Sequence, residues 1–258
     1  MSQRVSVVTG GASGIGAACV KHLAQLGDDV VVLDLPGAWE AAHHQVQVAG
    51  VLACDVTDDD TLREAARTIE ATYGPVGALV NSAGILQRRL PPDQLTMQEW
   101  DRVVAVDQRG TYLACAVFGE AMVRRGYGAI VNIASITASR SVPLHAYAPA
   151  KAAVVSITQC LAAEWGRSGV RVNAISPGYV LTEALQAAIA RGDRNPHDMT
   201  SQSAMGRLVE ASEIADAAGF LLSDAARAIT GINLPVDAGW LAGSSWMTYG
   251  GVPPARTS

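Results

Sequence analysis

Six short apolar runs alternate with longer segments of helical periodicity along this 258-residue chain, and that alternation constrains the fold more than any other feature. The runs at 5–9, 30–34, 51–54, 78–81, 129–134 and 170–175 are rich in β-branched residues and lack clean polar/apolar alternation. Strands of that kind are buried on both faces, as in a parallel sheet covered by helices on each side. Helical segments lie at 14–26, 59–72, 97–125 and 148–167, followed by a helix at 212–223 and a last strand at 233–236. The βαβαβ order predicts an α/β fold, a doubly wound parallel sheet with right-handed crossovers and helices on both faces. Asp58 or Asp59 supplies a helix N-cap, and Gly27 and Gly126 act as helix stops.

No linker, composition break or internal repeat divides the chain, so 1–258 reads as a single domain. Apolar residues make up 49% and charged residues 17%, which suits a full hydrophobic core. Three stretches are less regular: 35–50, too short for a full crossover helix; 178–204, polar in its middle and read as a substrate lid; and a tail at 239–258. A net charge of -5 with scattered basic residues argues against nucleic acid or an anionic membrane as partner. No apolar run approaches the ~20 residues that span a bilayer. The first residues enter a strand pattern at once, without the apolar core of a signal peptide. Cys19, Cys54, Cys115 and Cys160 are far apart and form no C-x-x-C pair, so they read as small buried thiols in a reducing, cytoplasmic compartment.

The first strand runs into Thr9-Gly10-Gly11-Ala12-Ser13-Gly14-Ile15-Gly16, where a helix begins. Glycines at 10, 14 and 16 permit a tight turn, close approach of the backbone to a pyrophosphate, and close helix–strand packing. Asp34 ends the second strand, about 20 residues on, where a carboxylate accepts hydrogen bonds from a ribose 2′-hydroxyl and repels a 2′-phosphate. Neither Ser13 nor Leu35 supplies the Arg or Lys that a 2′-phosphate would need, so the expected cofactor is NAD(H), not NADP(H). Asp55 and Val56 follow the third strand and suit the adenine edge. Asn81, Ala83 and Gly84 follow the fourth, in a turn of small residues where a ligand can pass close to the backbone.

Tyr147 and Lys151 are spaced i, i+4, so their side chains share one face of a helix. An ordinary tyrosine titrates near pH ~10, but an ammonium one turn away and an oxidised nicotinamide both favour the phenolate. Tyr147 can then act as general acid/base toward an alcohol or ketone. Ser135 ends the fifth strand, where its hydroxyl can hold the substrate oxygen. Pro177, Gly178, Val180 and Thr182 follow the sixth and would wall the nicotinamide.

The set TGGASGIG, Asp34, NSAG, Ser135, YAPAK and PGYVLT, in this order and spacing, resembles the short-chain dehydrogenase/reductase family over about residues 4–240. The resemblance implies a single Rossmann-type domain, a homotetramer or dimer, and a Ser135–Tyr147–Lys151 group that works without metal on the pro-S hydride. It also implies that Lys151 binds the nicotinamide ribose, and that helices 97–125 and 148–167 form a dimer interface. One position departs from the family. Where its members usually carry an Asn that helps hold a water between lysine and solvent, this chain has Asp107. A carboxylate there would strengthen the ammonium form of Lys151, making Asp107 a fourth catalytic-site member of altered character.

Substrate contacts are expected from Gln87, Thr137, His145, Tyr179 and Leu185, on segments beside the cofactor turns. Gln87, Arg88 and Arg89 read either as a basic approach for a hydroxylated or acidic substrate or as an exposed charged loop. His145 equally suits local bonding at a helix start, and His43 and His44 read as solvated. Trp240, Trp246 and Tyr249 make the tail aromatic, fit to seal a subunit interface or to reach a neighbouring site. In general likeness the chain resembles dehydrogenases of sugars, polyols and small secondary alcohols. A 3-oxoacyl-carrier-protein reductase, and an NAD-binding regulator without turnover, are the alternatives.

Overall fold

A computed structural model describes residues 3–42 and 44–254; His43 and the end of the tail lie outside the described residues. Seven strands form one parallel sheet in the order β3-β2-β1-β4-β5-β6-β7. They are β1 (Val5–Thr9), β2 (Asp29–Asp34), β3 (Gly50–Ala53), β4 (Val76–Asn81), β5 (Gly128–Ile133), β6 (Val170–Pro177) and β7 (Asn233–Val236). The chain reverses direction across the sheet between β1 and β4, which opens a crevice at the carboxyl ends of those strands.

Successive side chains leave a strand on opposite faces, so one strand feeds two cores. Val8, Val32, Val80 and Val131 pack with α1 (Gly14–Gln25) and α9 (Ala211–Leu222) on one side. Val7, Leu33, Leu79 and Ile130 pack with α3 (Asp59–Thr72) and α5 (Thr111–Arg125) on the other. The edge strand β3 is an exception to the expectation of burial on both faces, since it alternates and leaves Val51 37% exposed. Its cover is thin because α2 (Ala38–Ala41) is only four residues long.

The remaining helices are α4 (Met97–Val103), α6 (Tyr147–Trp165), α7 (Glu183–Ala190), α8 (Pro196–Thr200) and α10 (Trp240–Gly243). The sequence suggests one helix over 97–125; instead a π-helical stretch, Val104–Gly110, joins α4 to α5. A π turn takes an extra residue per turn and re-aims what lies within it, and here it carries the fully buried Asp107. The stretch 178–204 is not irregular but holds α7 and α8.

The described part of the tail folds onto its own chain. Gly239 O accepts the Ala204 N–H at 3.4 Å, and Trp240 meets Tyr179 edge-on with ring centroids 5.9 Å apart. His44 is not simply solvated: its Nε2 lies 2.7 Å from Ala12 O and its ring centroid 4.1 Å from that of Trp39. Cys160 is exposed, against expectation, while the other three cysteines are free and buried. Burial pushes Cys19 and Cys115 up to about 12, leaving both thiols protonated and unreactive at neutral pH. Among the described residues no helix is long and apolar enough to cross a membrane.

Under the crevice, Asn132 of β5 joins its neighbours through buried polar bonds. Its Oδ1 accepts from Asn81 Nδ2 at 2.8 Å and its Nδ2 donates to Thr158 Oγ1 at 3.0 Å. Asn132→Ala removes both bonds and leaves one hydrogen of the buried Asn81 amide unpaired, although Asn81 Nδ2 keeps Cys115 Sγ and Thr158 Oγ1 keeps Val154 O. A buried bond left unmade costs roughly 1–3 kcal/mol. The expected outcome is a fall of that size in urea unfolding free energy, and an unchanged midpoint would contradict it.

Candidate active site

The turns after β1 and β4 must nearly touch for the crevice to form. A Cβ on Gly10 would lie 2.6 Å from Ala83 Cα, so only glycine lets the two turns meet, and Gly10 adopts φ +65°. Thr9 locks the contact, its buried Oγ1 accepting the N–H groups of Ser82 (3.2 Å) and Ala83 (3.3 Å). A Cβ on Gly16 would fall 2.0 Å from Gly10 O, so that glycine serves the packing of α1 on the turn.

These turns border a cavity of about 1320 Å³. Every expected site residue lines it except Gly16, Asn81 and His145. The Asn81 side chain points away, into the network around Asn132 and Cys115. Asp34 stands at one end: its Oδ2 accepts the Ala12 N–H at 2.8 Å and its Oδ1 accepts that of Leu35 at 2.8 Å. Asp55 accepts from Thr57 N at 2.9 Å and Thr57 Oγ1 at 2.8 Å, and both residues line the same wall.

The residues fit a dinucleotide. The N-cap of α1, Ser13, makes no side-chain cap bond and no acid stands in its first turn. By contrast α3 is capped by Asp58 and α7 by Thr182. The amino end of α1 therefore keeps free N–H donors of the kind that suit an anion. Thr182 faces it across the cleft, since a Cβ on Gly14 would lie 3.4 Å from Thr182 Cγ2.

The reacting end gathers around Lys151, which is only 4% exposed. Its Nζ donates to Ile133 O at 3.0 Å, lies 3.3 Å from Asp107 Oδ2, and sits 5.5 Å from the centroid of the Tyr147 ring. Tyr147 is the first residue of α6 and packs against the buried cluster of Leu95, Val103 and Ala146. Ser135, at the end of β5, accepts the Thr137 N–H at 3.2 Å, and its carbonyl accepts from Ser176 Oγ at 3.0 Å. Gly84 leaves room for the ion pair, as a Cβ there would approach Asp107 Oδ2 to 3.3 Å and Lys151 Nζ to 3.5 Å.

Asp107 accepts the Ile85 N–H through Oδ1 at 2.8 Å. Burial pushes its carboxyl above the ordinary value, opposed by the Lys151 charge and the Ile85 bond. The folded chain therefore holds this proton more tightly than the unfolded one, and Asp107 costs stability as pH rises from the ordinary carboxylate range through the raised value.

Residues that the sequence did not single out also shape the site. Thr9 joins the two turns, and Arg102 lines the cavity. Arg88, read as part of a basic approach, is neutralised by Glu99 at 2.7 Å, whereas Arg89 lines the cavity.

A family model described as enoyl-(acyl carrier protein) reductase matches residues 10–241. D-threitol dehydrogenase of Mycolicibacterium smegmatis is 42% identical over 246 residues, 92% of each chain. Galactitol 2-dehydrogenase (L-tagatose-forming) of Cereibacter sphaeroides is 42% identical over 245 residues, 91% of this chain and 94% of the relative. The crystal structure of a protein described as ribose-5-phosphate isomerase from Brucella melitensis 16M has a TM-score of 0.93 at 47% identity and covers 98% of both chains. The chain belongs to the short-chain dehydrogenase/reductase family. It is an oxidoreductase that interconverts a secondary alcohol and a ketone.

Asp107→Asn keeps an acceptor for the Ile85 amide and removes the counter-charge of Lys151. A less neutralised ammonium favours negative charge on the Tyr147 oxygen. The acid limb of kcat/KM for alcohol oxidation is expected to move to lower pH, and a profile superimposable on wild type would show that the carboxylate acts only through its shape.

Proposed function

We propose that the chain is an NAD(H)-dependent dehydrogenase of a polyol or sugar, oxidising one secondary carbinol to a ketone, with Tyr147 as general acid/base. The buried Lys151–Asp107 pair, with Tyr147 and Ser135 beside it on the cavity wall, carries this reading. The threitol and galactitol dehydrogenases support the substrate class. An aldose–ketose isomerase moves protons between carbons without a dinucleotide, whereas this cavity continues past the reacting end to Asp34 and Asp55.

Asp34, Asp55 and Val56 would hold the adenosine part, and the Gly10–Gly16 turn, with Ser13, Gly14 and Ile15, the pyrophosphate. Ala83, Gly84, Lys151, Pro177, Gly178, Val180 and Thr182 would hold the nicotinamide riboside. Asp34 favours NAD(H), because its carboxylate suits a 2′-hydroxyl and repels a 2′-phosphate. When bound, the nicotinamide supplies the acceptor or donor of the hydride.

The protein's own residues handle the proton. Ser135 holds the carbinol oxygen, Tyr147 takes its proton during oxidation and returns it during reduction, and the Lys151 ammonium stabilises the charge on the phenolic oxygen. Asp107 and Ile133 O keep that ammonium in place inside the protein. Thr137, Tyr179 and Leu185 form the substrate wall, and the 178–204 segment serves as its lid. Tyr112 on α5, 48% exposed, supports an interface between copies in a homotetramer. The free thiols suit a reducing cytoplasm.

Tyr147→Phe is expected to lower kcat by about 10²–10⁴-fold while NAD binding, read by protein fluorescence, stays intact. Retained turnover would remove Tyr147 from its role. Steady-state rates on threitol and galactitol should favour NAD over NADP, and Asp34→Ala should cut that preference by about tenfold or more. Equal wild-type rates with both cofactors would overturn the assignment to NAD(H).

A further inference from the structure

The helix that begins with Tyr147 has an alanine at its N-cap. Ala146 has no side chain that can bond the N–H groups of the first turn, the Ala148 N–H is taken by Leu144 O, and Ala146 itself is completely buried, so water does not serve its own N–H. The bond comes from Gln87, 59 residues earlier: its Oε1 accepts the Ala146 N–H at 2.7 Å and the Tyr147 N–H at 3.3 Å.

Those two donors fix which way the amide faces. A flipped amide would set N–H against N–H, so the oxygen must face the helix and Nε2 must face away from it. Gln87 is 3% exposed, lines the cavity that holds Tyr147, and its Nε2 has no acceptor. A second buried polar atom of the same cavity, Thr137 Oγ1, also lacks a partner. A glutamate would serve the two helix N–H groups without adding an unpaired donor. A glutamine there makes sense when the ligand brings the acceptor.

We propose that Gln87 is a positioning residue for Tyr147 that also reads the substrate. Its Oε1 anchors the first turn of α6, and its Nε2 donates to an oxygen on the carbon next to the reacting carbinol. A substrate with that vicinal oxygen completes the amide's bonds and steadies the tyrosine in one event, whereas a simple monoalcohol leaves the donor unmet. The substrate half of this inference rests on the dehydrogenase reading given above. The anchoring half does not.

Two variants separate the halves. Gln87→Glu keeps an acceptor for the helix N–H groups, and a carboxylate is welcome at a helix amino end, but it offers no donor. Gln87→Met supplies neither. Amide hydrogen exchange is read on wild type and Gln87→Met, with thermal melting and NAD binding as controls of the fold. Exchange at Ala146 and Tyr147 is expected to quicken about tenfold or more in Gln87→Met while the later turns of α6 stay protected. Unchanged exchange there overturns the anchoring role whether or not the protein turns over any alcohol.

Initial rates with saturating NAD then compare 2,3-butanediol with 2-butanol on the alkaline plateau. Wild type should prefer the diol in kcat/KM, and Gln87→Glu should lose about tenfold of that preference, as expected for one hydrogen bond to a substrate hydroxyl. Gln87→Met should lower kcat on both alcohols. A full diol preference in Gln87→Glu overturns the substrate contact. Absence of turnover by wild type on these and on threitol would sink the dehydrogenase reading and the substrate contact with it, while the exchange data still decide the anchoring role.

Discussion

An ammonium almost fully removed from water is the constraint around which the reacting end is built. A buried charge is tolerated only with opposite charge and hydrogen bonds close by, and Lys151 has both, from Asp107 and from Ile133 O. The long helix unwinds locally, so that position 107 and its carboxylate face inward from a π turn. Keeping space for the pair required a glycine at 84. Charge, helix geometry and loop composition thus depend on one another.

The second constraint is mechanical. Parallel strands deliver all their carboxyl ends to one edge, and the change of direction between β1 and β4 leaves a gap there. Gly10 and Thr9 bring the two turns together at the floor of that gap, and the same turns line the cavity. The amino end of α1 lacks the side-chain cap that α3 and α7 have, so its N–H donors stay free at the edge of the cavity. Placement of each group follows from the sheet rather than from any one loop.

Much of this was legible in the sequence because the decisive relations are local. A strand followed by a glycine turn and a helix, or a tyrosine four residues before a lysine, is defined within one or two turns of chain. Relations between distant segments were not legible. Asn81 stands in a motif that suggests ligand contact, yet the pleat sends its side chain into the core beside Asn132. β3 looked like an interior strand, but its exposure follows from the four-residue length of α2. His44 finds Ala12 and Trp39 only once the chain has folded. The bond from Gln87 to the start of α6 spans 59 residues, and its one local clue was an alanine where a capping side chain would be expected.

The seating of the tail on its own chain has a consequence for how the cavity is bounded. Tyr179 lines that cavity, and its ring meets Trp240, whose N–H donates to Asp237 O at 3.0 Å. α10 is thus a buttress for the cavity wall rather than an appendage. A disturbance to that helix reaches the cavity through one aromatic contact.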